Sequence, residues 1–168
     1  MRLSVTPDGD GRVRAPLQFG IVLTNVRFPM EARTDAVLAD LKRAGLKLTP
    51  QRMAIVRELA DDCTHPTAQE LFERLRPAFP TMSFATVYNT LDALAKLGLV
   101  GSLRLGSAVR FDPNTTPHHH AVCDACGVVV DLPAPPPSPS LKKNIERAFH
   151  FEVRVEERTY RGLCGRCV

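Results

Sequence analysis

A chain of 168 residues with 44% hydrophobic content can bury the core of one domain or of two small ones. No run approaches the roughly 18–20 apolar residues that span a bilayer, and the start of the chain lacks the pattern of a secretory signal. We therefore expect no membrane span and a cytoplasmic location. The net charge of +4 permits nucleic-acid binding without establishing it.

Residues 1–29 show no helical or strand period that persists, and prolines and glycines interrupt them repeatedly. This composition predicts a flexible N-terminal extension. An ordered pattern begins at Met30.

Four amphipathic helices are predicted in the first half of the chain, because apolar residues recur there at a spacing of three to four. The first begins at Thr34 and ends at Gly45. The second begins after Thr49 and the third after Thr67, since both threonines suit the N-cap position. The fourth is predicted over Ser83–Leu97.

A hairpin follows these helices, since the hydrophobic period changes to two. The segments Val100–Leu105 and Ala108–Phe111 are predicted strands, joined by a turn at Gly106. Helices followed by a hairpin are typical of a winged helix, so we expect a winged-helix DNA-binding domain over residues 30–112.

The exposed face of the fourth helix is the candidate DNA-reading surface, because the helix before a wing is the one presented to the major groove. Its hydroxyl and amide groups can read base edges or bind phosphates, although a polar helix face is usually only solvated. The candidate residues on this face are Ser83, Thr86, Tyr88, Asn89 and Thr90, with backbone contacts from Lys47, Arg52, Arg104 and Arg110.

The last part of the chain is predicted to be a small α/β domain over residues 113–168. Strands are expected at 119–122, 128–132 and 151–161, a helix at 140–149, and a stiff proline-rich connector at 133–139. The α+β chain thus ends in a domain of about 50 residues with little core, for which a zinc site and an oligomeric interface are the expected supports.

Two Cys-x-x-Cys pairs, Cys123 with Cys126 and Cys164 with Cys167, can supply four thiolates to one metal ion. A four-sulfur shell is typical of structural zinc, because it leaves no position for water or substrate. Cys63 lies outside this pattern, and we expect a free thiol without a special role.

A second potential metal site involves the histidine run before the first Cys pair. Alternation along an extended backbone places His118 and His120 on one side and His119 on the other. Asp112 precedes this run and Asp131 follows the thiolates. Mixed imidazole and carboxylate ligands suit first-row divalent metals such as iron or manganese.

Taken together, these motifs resemble the ferric uptake regulator family of bacterial metal-dependent repressors, over about residues 30–168. The resemblance implies a homodimer that binds operator DNA through an N-terminal winged helix and dimerises through a C-terminal domain, with a regulatory metal between them. The matching motifs are Ala44–Arg52, His65–Ala68, Ala85–Leu91, Arg110–Asp112, His118–Cys126 and the terminal Cys pair.

Within the family, the chain is most similar to the peroxide-sensing branch. That resemblance implies regulatory Fe²⁺ or Mn²⁺ ligands at His65, Asp112, His118, His120 and Asp131. It also implies that peroxide oxidises His65 or His118 and so relieves repression of oxidative-stress genes.

Three alternatives remain open at this point. An iron- or manganese-responsive uptake regulator is the first, although the iron-sensing branch usually has glutamates at the positions of Asp112 and Asp131 and a histidine at Val155. A non-haem iron enzyme is the second, since two histidines and a carboxylate with open positions also describe such enzymes. A zinc-containing interaction module without DNA is the third.

Overall fold

The computed structural model describes residues 30–60, 62–134 and 139–168. The predicted extension at 1–29 and most of the proline-rich connector lie outside these ranges. The elements in chain order are α1 (Met30–Arg43), α2 (Pro50–Ala60), α3 (Ala68–Leu75), α4 (Phe84–Lys96), β1 (Gly101–Leu105), β2 (Ala108–Asp112), β3 (His118–Cys123), β4 (Val129–Pro133), α5 (Pro139–Phe149) and β5 (Thr159–Gly162).

The four helices α1–α4 surround an apolar core, as the spacing of their apolar residues predicts. Leu41, Ile55, Leu71 and Leu91, one from each helix, are completely buried. The predicted starts of α2, α3 and α4 are confirmed, whereas α1 begins at Met30, four residues before the predicted Thr34. The Thr67 side chain and Glu70 form a capping box at α3, and Ser83 caps α4 by accepting from the amide of Thr86. Capping of this kind satisfies amides that have no partner within the helix.

The predicted hairpin is confirmed as the antiparallel pair β1–β2, whose turn contains Gly106 with a φ of 60°. An isolated bridge between Thr67 and Arg110 attaches β2 to the start of α3. Helices α1–α4 with this hairpin form a winged helix, termed the helical unit below.

A three-stranded sheet in the order β4-β3-β5 forms the second part, with β3 antiparallel to β4 and parallel to β5. This sheet with α5 is termed the C-terminal unit. The predicted helix from Ser140 is confirmed, beginning one residue earlier at Pro139. The boundary predicted after Asp112 lies between the hairpin and this sheet, and it stays a prediction.

The last strand is shorter than predicted, since it covers Thr159–Gly162 and not the whole of 151–161. Phe151 and Val155, which alternate with charged residues along the predicted strand, are 61% and 62% exposed. Alternation identifies two faces, but a strand also needs a neighbouring strand to bond. Because β3 starts at His118 and His120 pairs with Thr159 in a parallel register, the residues before 157 have no residue of β3 opposite them.

The loop between α2 and α3 is held by the buried carboxylate of Asp62. Asp62 accepts hydrogen bonds from the amide of Thr64 at 2.7 Å and from Arg74 Nη1 at 2.5 Å. Burial raises the pKa of Asp62, but the bonds from Thr64 and Arg74 outweigh it, so the pKa lies below its usual value. The ionised carboxylate therefore fixes the loop that leads into His65.

We predict that Asp62→Asn lowers the free energy of unfolding at pH 7 by about 1–3 kcal/mol, because charge-assisted hydrogen bonds in a buried position are lost. Urea unfolding followed by circular dichroism measures the change. Asp92→Asn is the matched control, since Asp92 pairs with Lys96 on the exposed surface of α4, and its effect should be much smaller. Equal losses in the two variants would contradict the role of Asp62.

Candidate functional site

Five side chains from both units converge on one point at the junction. His65 comes from the loop after α2 and Asp112 from the end of β2, whereas His118 and His120 lie on β3 and Asp131 on β4. One potential ligand atom from each lies within 4.8 Å of all the others. This five-residue cluster contains every residue that the resemblance implies for a regulatory metal.

The donor atoms of the cluster face one another closely. His65 Nε2 lies 2.7 Å from Asp131 Oδ1, and His118 Nε2 lies 2.9 Å from Asp112 Oδ2. The Nε2 atoms of His118 and His120 are 2.8 Å apart. Both ring nitrogens of His65, which is 1% exposed, lack an aligned hydrogen bond among the described residues. Buried polar atoms need a partner, and a shared cation would supply one.

Two neighbouring imidazoles of the cluster differ in their pKa. The hydrogen bond with Asp112 raises the pKa of His118 to about 9, against the opposing effect of burial. Burial, and then the nearby His118 and His65, lower the pKa of His120. These opposite shifts of the pKa favour a proton on His118 over a proton on His120. A metal ion that bound here would have to displace that proton.

His65 and Asp112 are joined within the helical unit. Arg110 Nη1 donates to the carbonyl oxygen of His65 at 2.9 Å, and the amide of Phe111 donates to the carbonyl oxygen of Pro66 at 2.9 Å. His65 itself has a φ of 54°, in the left-handed region that few non-glycine residues adopt. The contact of the loop with β2 therefore holds both potential ligands in one arrangement.

The four paired cysteines also converge, in the C-terminal unit. Their sulfur atoms lie within 4.8 Å of one another, and Cys126 Sγ is 3.7 Å from Cys164 Sγ. A tetrahedral ion with metal–sulfur bonds of about 2.3 Å separates its sulfurs by about 3.8 Å, so the arrangement fits zinc. Cys63 is exposed in the loop before His65 and is not part of this group.

The protonation of the four thiols differs within the group. Hydrogen bonds from the amides of Cys126 and Cys164 lower the pKa of Cys123 to about 6. The hydrogen bonds that Cys167 makes with Cys164 and Cys126 raise its pKa to about 12. The first thiolate thus forms readily, whereas a cation must offset the charge before all four can ionise.

The candidate DNA face of α4 agrees with the prediction except at one position. Tyr88 is 49% exposed, but Thr90 is completely buried. Its hydroxyl group donates to the carbonyl oxygen of Thr86, which satisfies this polar group within the helix. Thr90 therefore cannot contact DNA. Phe84 is also exposed on this face beside Tyr88, and its apolar side chain is not identified by a search for hydroxyl and amide groups.

The basic candidates have different positions. Arg52 Nη1 donates to the carbonyl oxygen of Lys47 at 2.7 Å, so both lie together before and within the first turn of α2. Arg110 Nη1 bonds the carbonyl oxygen of His65 and lies 3.5 Å from Glu70, so this side chain holds the loop, and its role as a DNA backbone contact stays a prediction. His119 points to the opposite face from the cluster, as alternation predicts, and lies beside Tyr160.

These features define the class of the protein: a winged-helix protein with one group of potential metal ligands at the junction of its two units and a second group within the C-terminal unit. A family model described as the ferric uptake regulator family matches residues 43–155, and the chain belongs to that family. The resemblance seen in its motifs is thereby confirmed. Among the described residues, no helix is long and apolar enough to cross a membrane.

Individual relatives agree with this assignment. The peroxide-responsive repressor PerR of Staphylococcus aureus is 37% identical over 139 residues, which are 82% of this chain and 93% of that protein. The ferric uptake regulator of Vibrio cholerae has a TM-score of 0.61 at 28% identity, covering 75% of this chain and 98% of that one. The Helicobacter pylori ferric uptake regulator has a TM-score of 0.69 at 22% identity, covering 83% and 94%, and shares the fold.

We predict that His118 titrates with a midpoint near 9 in protein that holds zinc and no second metal. Asp112→Asn should move the midpoint down towards 6.5, the ordinary value, because the hydrogen bond to a charged acceptor is lost. Nitrogen-15 NMR of the imidazole rings measures both values. Asp124→Asn, which removes an ion pair with Arg161 elsewhere in the C-terminal unit, should leave the midpoint unchanged. A midpoint still near 9 in Asp112→Asn would refute the assignment.

Proposed function

We propose that the protein is a metal-dependent transcriptional repressor that binds operator DNA as a homodimer and senses peroxide through the five-residue cluster. The observation that carries this proposal is the origin of the donors in the cluster, because they come from both units. The similarity to the peroxide-responsive repressor of Staphylococcus aureus supports it. A DNA-binding repressor acts in the cytoplasm, which agrees with the expected location.

The metal would act by selecting one orientation of the two units. His65 and Asp112 are fixed to the wing, whereas His118, His120 and Asp131 are fixed to the sheet. A cation held by all five therefore favours the one arrangement in which they converge. In a dimer, that arrangement would present both α4 helices to successive major grooves. The proposed DNA contacts are Ser83, Thr86, Tyr88 and Asn89 of α4, with Lys47 and Arg52.

The C-terminal unit is the proposed dimerisation surface. It exposes large apolar side chains that the core of this small unit does not cover, and such patches mark protein–protein interfaces. The segment before β5, which pairs with no strand in the part of the chain that the structure describes, lies in the same region. The exposed residues are Leu141, Phe149, Phe151, Val155, Tyr160 and Leu163.

Two metals have separate proposed roles. Zinc bound by Cys123, Cys126, Cys164 and Cys167 fills its tetrahedral shell and so stabilises the C-terminal unit. Iron or manganese is proposed at the cluster, because its mixed nitrogen and oxygen donors suit these ions. The family and the joint site favour a regulator over a non-haem iron enzyme, since the ligands serve to join two units.

The signal is proposed to be read by His65 and His118. Fe²⁺ held by the five-residue cluster would supply the chemistry that activates peroxide, which Mn²⁺ lacks. A ring carbon of either histidine then gains one oxygen, and the other peroxide oxygen leaves as water. The oxidised ring is a poorer ligand, so the two units are no longer held together and the protein leaves DNA. Carboxylates shorter than glutamate at Asp112 and Asp131 favour this function over control of iron uptake.

We predict that Cys123→Ser loses zinc and either unfolds or becomes monomeric, because structural zinc supplies much of the folding free energy of small domains. Metal analysis and size-exclusion chromatography measure both effects. Cys63→Ser is the matched control, since Cys63 is exposed and outside the group, and it should keep zinc and the dimer. A soluble, zinc-free dimer of Cys123→Ser would exclude the structural zinc.

We predict that mild peroxide releases the iron-loaded protein from DNA and leaves the manganese-loaded protein bound. Gel shift with fragments selected from the source genome measures binding, and mass spectrometry of peptides should find one added oxygen on His65 or His118. Tyr88→Ala is the control for the interface: it should keep both metals and lose specific binding in either form.

One result would transfer the sensing role to the other site. If DNA release occurs with both histidines unmodified and with zinc expelled, the thiolates sense peroxide and the proposed mechanism is wrong.

A further inference from the structure

Asn114 lies in the connection between the two units and contacts both carboxylates of the cluster. Its backbone amide donates to Asp112 Oδ1 at 2.7 Å. Its side-chain Nδ2 donates to Asp131 Oδ2 at 3.3 Å. It is therefore bonded to one carboxylate of the helical unit and to one of the C-terminal unit.

These contacts engage only one oxygen of each carboxylate. Asp131 turns Oδ1 towards the imidazoles, 2.7 Å from His65 Nε2, while Oδ2 accepts from Asn114. Asp112 differs, because its Oδ2 lies 2.9 Å from His118 Nε2 while its Oδ1, which accepts from the Asn114 amide, also lies 3.8 Å from His65 Nε2. Asp131 thus offers a single oxygen to the centre of the cluster.

The orientation of the Asn114 amide is determined by Thr116. The amide and the hydroxyl group of Thr116 both lie against Asn114 Oδ1, at 3.2 Å and 2.6 Å. A backbone N–H can only donate, so the atom it meets must be the oxygen. The NH₂ group of Asn114 is consequently the one that faces Asp131.

From this arrangement we propose that Asn114 is a positioning residue that keeps the carboxylate of Asp131 monodentate and so leaves one coordination position open for peroxide. This inference rests on the proposed function. Three imidazole nitrogens and one oxygen from each of two carboxylates make five donors, whereas an octahedral ion takes six. If Asp131 turned its second oxygen inward, the open position would be filled.

Asp131 is the carboxylate for which the side chain of Asn114 matters more. Its side chain is 39% exposed, compared with 5% for Asp112. The contact with Asp112 uses the backbone amide, which any residue except proline supplies. A substitution at position 114 therefore frees Asp131 and leaves the bond to Asp112 in place.

The test compares Asn114→Ala with Thr116→Val. The alanine variant loses the donor to Asp131, whereas the valine variant disturbs the same loop and keeps that donor. Co²⁺ is the probe of coordination, because six-coordinate Co²⁺ absorbs visible light more weakly than five-coordinate Co²⁺. We expect Asn114→Ala at saturating Co²⁺ to lose visible absorption. With saturating Fe²⁺, its histidine oxidation by peroxide should slow by about tenfold, the scale of outer-shell effects on metal sites.

Thr116→Val should match wild type in both measurements. Zinc content and circular dichroism check the fold of each variant. If Asn114→Ala does not fold, Asn114→Asp serves in its place, since it keeps the acceptor for Thr116, removes the donor and repels Asp131; the same losses are then expected.

Two results would overturn the inference while the proposed function stands: unchanged absorption and oxidation in the position-114 variant, or equal losses in Thr116→Val. Iron-loaded wild type that keeps its DNA and its histidines intact under peroxide would instead overturn the proposed function, and this inference with it.

Discussion

The structure depends on the convergence of two carboxylates and three imidazoles at the junction of two small units. Groups of this kind are costly to bury unless they are paired, and here each aspartate has one carboxylate oxygen within 3 Å of an imidazole nitrogen. The proton held by His118 offsets part of the negative charge. A divalent cation can replace that proton and bind all five side chains at once.

The rest of the chain holds the donors in place. Asp62 and Arg74 fix the loop that leads to His65, and Arg110 connects this loop to β2. The pairing of His120 with Asp131 across β3 and β4 sets the other side. Asn114 contacts Asp112 in the helical unit and Asp131 in the C-terminal unit. Each unit is held together by its own contacts. Loss of one ligand therefore changes the orientation of the two units more than the structure of either unit.

The sequence predicts local structure well where local chemistry determines it. The capping threonine and serine before α3 and α4 mark helix starts, and the change of period after Leu97 marks the hairpin. Alternation also separates His119 from His118 and His120. These signals are short-range, so they are readable from neighbouring residues.

Long-range relations are not readable in the same way. His65 is far from Asp112 along the chain, and only the family resemblance indicated that they meet. The polar side chain of Thr90 suggested exposure, but it is buried, and its hydroxyl group bonds the backbone of its own helix. Phe151 and Val155 alternate like a strand, but the partner strand ends before it reaches them. The role of Asn114 depends on two contacts that no sequence pattern announces.

The most direct test of the account is the DNA affinity of wild type and His65→Ala, each with and without Mn²⁺. If the cluster joins the two units, Mn²⁺ should raise the affinity of wild type by at least about tenfold, within the range of ordinary coupling between sites. His65→Ala, with zinc retained, should show no gain. Equal affinity of wild type with and without Mn²⁺, or an equal gain in the variant, would contradict the claim that this site controls DNA binding.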